Sequence, residues 1–119
     1  MRALAAILFL LLSGKALAGY DVHVTRHRHW YDVNGPKISL GDWQRYAKSD
    51  PDVSSDAGDS KFFVIRVSGQ GVPLLYDRRH GELVVKDPSQ AAISKLVQIA
   101  QCLHARVQGD DGEFYPTPP

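Results

Sequence analysis

This 119-residue sequence is short of cysteine: Cys102 is the only one. A single thiol forms no internal disulfide, so the fold must be held by packing alone. Cys102 falls in an apolar helical pattern, which predicts a buried, inert thiol in a monomer; the alternative is a disulfide-linked dimer. An excess of either charge is also missing. The chain carries 14 Lys and Arg against 13 Asp and Glu, a balance that argues against a nucleic-acid or anionic-membrane binder. No internal repeat, long linker or phosphate-cradling glycine loop is present, since Gly69 and Gly71 join two strands rather than a strand and a helix.

Long apolar runs are missing too, except at the start. Ala3 to Leu12 is apolar without interruption, Arg2 precedes it, and Ala16-Leu17-Ala18 is a small-x-small cleavage signal before Gly19. This is the layout of a secretory signal peptide. The run is shorter than the roughly 20 apolar residues that span a bilayer, so stable membrane insertion is not expected. The expectation is a signal peptide over 1–18 and a single exported domain over 19–119. Loss of Arg2 and Lys15 would leave 12 basic residues against 13 acidic ones. A small disulfide-free exported domain fits a bacterial periplasm best.

Periodicity then sets the elements. Tyr20 to Thr25 alternates, with Val22 and Val24 on one face and Asp21, His23 and Thr25 on the other, as in a strand. Asn34-Gly35-Pro36 is a turn. Ser39, with Asp42 three residues on, reads as a helix N-cap, and Leu40, Trp43, Tyr46 and Ala47 share one face of the helix that Asp50-Pro51 ends. Asp52 to Ser60 is small, polar and acidic, which predicts a surface loop. Lys61–Val67, Val72–Tyr76 and Glu82–Lys86 form a three-strand meander, with Pro73 suggesting a late start or an edge position for the middle strand.

Asp87-Pro88 is expected to open the best helix, Asp at the N-cap and Pro at the first helical position. Its apolar stripe is Ile93, Leu96, Val97, Ala100 and Leu103. A short extended piece at Ala105–Gln108, the Gly109-Asp110-Asp111-Gly112 turn and Glu113–Tyr115 suggest a terminal hairpin, with residues 116–119 as a disordered tail. Summed, this is an α+β domain: a mostly antiparallel sheet with two helices packed on one face.

Enzymatic constellations are hard to find. No Gly-x-Ser-x-Gly elbow occurs, and the serines read as caps, loops or helix surface. Cys102 and His104 are two residues apart, a spacing that separates them on a helix. Asp110, Asp111 and Glu113 could supply paired carboxylates, but they crowd one solvated turn. The chain is therefore read as a non-enzyme without a cofactor. His23, His27 and His29 would share one face if the first strand ran on to Trp30, and could then ligate copper or zinc. The plainer reading is a polar strand face followed by a loop, with Arg26 and Arg28 pointing away.

Aromatics and arginines point to protein binding. Trp, Tyr and Arg anchor interfaces, and the candidate partner-binding residues are Arg28, Trp30, Tyr31, Asp110, Asp111 and Glu113. Packing over the sheet is the competing role for Trp30 and Trp43.

Two blocks resemble a family of small bacterial proteins. The first is Val24-Thr25-Arg26, Trp30, Asp32, Gly35-Pro36, Ile38-Ser39, Asp42-Trp43, Tyr46 and Asp50-Pro51. The second is Val84-Val85-Lys86-Asp87-Pro88, Ile99-Ala100-Gln101 and Ala105 to Glu113, ending in Gly-Asp-Asp-Gly-Glu. Members of that family look like immunity or accessory proteins of bacterial antagonism, with no assigned catalytic residues to carry over. This chain differs by its signal peptide and by a shorter segment between Asp50 and Asp77. The resemblance implies a periplasmic immunity protein that binds and blocks a cognate effector toxin. The alternative is a metal-binding or accessory role for the histidine cluster.

Overall fold

A computed structural model describes residues 19–116; the expected signal peptide lies outside the described residues, as does all but the first residue of the expected tail. The elements are β1 (Asp21–Thr25), α1 (Leu40–Ser49), β2 (Val53–Ser55), β3 (Phe62–Val67), β4 (Gln70–Asp77), β5 (Glu82–Lys86), α2 (Gln90–Cys102), β6 (Arg106–Gly109) and β7 (Phe114–Tyr115). The seven strands form one antiparallel sheet in the order β2-β3-β4-β5-β1-β6-β7. It is an α+β domain.

Side chains alternate between the two faces of a strand, and the register sorts them. One row across the sheet is Tyr76, Leu83, Val24, Val107 and Tyr115. With Val22, Phe63, Ile65, Leu74 and Val85 it meets Trp43 of α1 and Leu96, Ile99 and Ala100 of α2 in one core. Trp43 is fully buried, its ring edge-on to Phe63 at 5.1 Å and stacked on Tyr46 at 5.9 Å. Such aromatic pairs add about 1 kcal/mol beyond area burial.

The adjacent row belongs to the other face: Phe62, Leu75, Val84, His23, Gln108 and Phe114. Its apolar members are exposed or half-buried, whereas His23 and Gln108 are buried. What covers the two polar residues is the segment between β1 and α1.

Hydrogen bonding explains the boundaries. Ser39 Oγ accepts from the Asp42 amide, and Asp50 caps the C-terminus of α1, both at the places predicted. Leu40, expected on the packed face, is exposed. The β3–β4 hairpin turns on two residues, Ser68 and Gly69, both with positive φ, the geometry that matches strand twist. Pro73 lies in the part of β4 that pairs with β3 but extends beyond the β5 register, so its missing N–H costs no ladder bond toward β5.

Three further expectations are corrected. Asp52–Ser60 is not loop throughout, because Val53–Ser55 pairs with Phe63–Ile65 and buries Val53. Helix α2 begins two residues late: Ser89 is the N-cap, its Oγ accepting from the Ala92 amide, while Asp87 sits at φ 51° and donates its amide to Tyr20. Cys102 is exposed, since the helix stripe runs through Leu96, Ile99, Ala100 and Leu103 instead. Strand β1 ends at Thr25 as expected, so the continuation to Trp30 that would put His23, His27 and His29 on one strand face does not occur.

Among the described residues no helix is long and apolar enough to cross a membrane.

Candidate functional site

The polar side of β1 carries a largely buried polar site, open only at Asp110 and Trp30. His23 is only 4% exposed and Glu82, at the start of β5, 1%. The His23 Nδ1 lies 2.9 Å from Glu82 Oε1, and its Nε2 lies 2.9 Å from Asp110 Oδ1. A neutral imidazole has one N–H and cannot donate to two carboxylates at once. The arrangement therefore suits the doubly protonated ring. Burial opposes its charge, but the two carboxylates outweigh burial and hold the His23 pKa above its ordinary value. Asp110 is itself positioned by the Asp21 amide, which donates to its Oδ2 at 2.8 Å.

Trp30 closes the site. Its ring stacks on His23 with centroids 4.1 Å apart and planes 7° from parallel, a contact that a positive imidazole strengthens. Its backbone amide donates to Gln108 Oε1 at 2.7 Å, and Gln108 Nε2 donates to the Gly112 carbonyl at 2.9 Å. The sheet, the 109–113 turn and the β1–α1 segment thus share one polar network.

From Trp30 the aromatics continue outward. Tyr31 meets Trp30 edge-to-face at 5.6 Å and lies parallel to His29 at 5.2 Å. Tyr31 is 55% exposed and Val33, two residues on, 63%. The ends of the segment are fixed independently. Arg26 donates to the carbonyls of Leu103 and Lys37 and to Asp42, while Arg106 donates to the His27 carbonyl and covers the Phe114 ring at 4.9 Å. His29 N donates to Asp32.

The predicted partner-binding residues meet here in part. Trp30 and Asp110 are joined through His23, and Tyr31 and exposed Arg28 belong to the same segment. Asp111 is exposed on the adjoining turn, whereas Glu113 is half-buried and accepts from Tyr115. The histidines do not share one strand face: they follow the plainer reading of a polar strand face and a loop. His23 is held by carboxylates, His29 stacks on Tyr31, and His27 is buried with neither ring nitrogen partnered among the described residues. No group of three or more His, Cys, Asp and Glu side chains among the described residues is placed to hold a metal ion.

Sequence reasoning missed Glu82 and Gln108, which lie 59 and 85 residues from His23 and reach it only through strand pairing. Elsewhere the titrating groups serve structure. Lys95 of α2 binds Asp50 at 2.8 Å. Burial raises the pKa of Asp50, but Lys95 and the Tyr46 hydroxyl outweigh it and leave it lowered. No family model, curated protein or solved structure matches the chain.

Proposed function

We propose that this chain is a periplasmic immunity protein that binds a cognate effector toxin and blocks it by occlusion. The observation that carries the reading is the aromatic ladder from buried His23 through Trp30 to exposed Tyr31. Tyr is a favoured interface anchor, and this one is already ordered in the free protein, so docking loses little side-chain entropy. Arg28 and Asp111 flank it with charge of both signs. The family resemblance and the secretory N-terminus supply the partner class and the compartment.

The test is a binding measurement between residues 19–119 and the product of the adjacent gene. The expected result is a one-to-one complex weakened at least tenfold by Tyr31→Ala and further by Asp111→Lys. Deleting the gene should sensitise cells to sisters that carry the effector; full resistance after deletion sinks the reading.

A further inference from the structure

We infer that charged His23 is a proton-operated latch: while protonated it holds the Trp30 indole against the sheet, and on losing its proton it lets the indole go. The geometry has three parts. Both ring nitrogens face carboxylate oxygens at 2.9 Å, so loss of either proton turns one hydrogen bond into a lone-pair repulsion. The indole lies on the ring face at 4.1 Å, where it gains from a cation and loses that gain with a neutral ring. The Trp30 backbone remains tied to Gln108 and the ends of the segment to Arg26 and Arg106. The indole and the Tyr31 ring edge-on to it are held through ring contacts, the indole's with His23 itself, so these are the groups that loss of the proton releases.

The charged groups around His23 come from every neighbouring strand. Strand β5 supplies Glu82 and, further along the same face, Lys86 opposite Asp21. Strand β6 supplies Arg106, committed to His27 and Phe114, and neutral Gln108. The turn supplies Asp110, with Asp111 and Glu113 behind it, and the β1–α1 segment supplies His27 and His29. Glu82 and Asp110 are the two in contact, and a neutral His23 leaves them facing each other across an uncharged ring. The second oxygen of Glu82 is buried without a partner among the described residues, and none of them but His23 compensates that carboxylate.

The latch acts on the surface assigned above to a partner. Its test uses the free protein alone, so its failure and the failure of that reading are separate results. Trp fluorescence and acrylamide quenching are followed from about pH 6 to about pH 10, a window spanning an upward-shifted histidine. The expected result is a single transition above pH 6.5 in which emission rises and quenching increases. It should be absent from Trp30→Phe and His23→Gln, and Asp110→Asn should lower its midpoint by about one pH unit. Nitrogen NMR of the His23 ring in the unaltered protein gives the protonation state directly, independent of whether any variant folds. A His23 ring that is neutral at pH 6, a transition that survives His23→Gln, or a ring that titrates with no change in quenching would each overturn the latch.

Discussion

Gln108 Oε1 accepts the Trp30 amide at 2.7 Å across 78 residues of chain. This bond ties the middle of the β1–α1 segment to β6, beside the edge strand. Gln108 is 0% exposed, and its other end holds Gly112. Replacement by Leu strands one backbone N–H and one C=O. With a net value of about 1 kcal/mol per hydrogen bond and more for an orphaned buried group, Gln108→Leu should cost about 2–3 kcal/mol. Thermal unfolding would show a fall in Tm of roughly 10–20 °C for a domain of this size.

Folding stability should depend on pH through His23. Its pKa is raised in the folded state, so its contribution is complete below the unfolded value near 6.5 and is lost as pH rises through the folded value. Urea midpoints of the unaltered protein should therefore fall on the alkaline side. The gap between it and His23→Gln should be widest in mild acid and narrow above neutrality. A gap that widens with pH would reverse the assignment.

Lys95 and Asp50 join the two helices, with side chains 12% and 8% exposed. Removing one member leaves the other charge poorly solvated. Lys95→Met should cost about 2 kcal/mol at neutral pH, less than a fully buried pair because Asp52 and solvent reach the ammonium. The folded pKa of Asp50 is lowered, so this contribution is present above the ordinary carboxylate range and disappears as pH falls through the folded value. A double-mutant cycle with Asp50→Asn, read by denaturant unfolding, measures the coupling.

At Gly81 φ is 66°, and a Cβ would run into the Lys37 side chain. The same residue accepts the Ile38 amide at 2.8 Å, while the Ile38 carbonyl accepts the Tyr76 hydroxyl at 2.7 Å. Gly81→Ala adds left-handed strain and pushes on the near end of the Lys37 side chain, next to fully buried Ile38, for a cost of about 2 kcal/mol. Gly69→Ala is the control, since φ there is also positive but nothing lies within 4 Å. Its Tm loss should be smaller.

The fold was legible where apolar periodicity carried it. Alternation along Phe63, Ile65 and Val67 marked β3, and the stripe from Leu96 to Leu103 marked α2. Three-residue β2 was hidden because only Val53 is apolar there, and its strand character comes from pairing with β3. The start of α2 was displaced because Asp87 and Ser89 are both good N-cap residues, and the β5 connection to Tyr20 draws Asp87 out of helical geometry. For the site, Trp30 and Asp110 could be picked out as residue types. Glu82 could not, since a carboxylate at a strand start looks like ordinary surface until register places it beside His23.

Strand β1 comes early in the chain but lies inside the sheet, between β5 and β6. Its ladders join Val24 to Leu83 and Thr25 to Arg106 at their nearest, so they close loops of about 60 and about 80 residues. Loop closure must be completed before such contacts contribute. The meander β3–β4–β5 can form from local hairpins, whereas β1 must wait for both flanking strands. The histidine site, which needs β5, β1 and the turn after β6 together, is therefore expected to form late in folding, and the rate at which Trp30 reaches its native environment should report the pairing of β1.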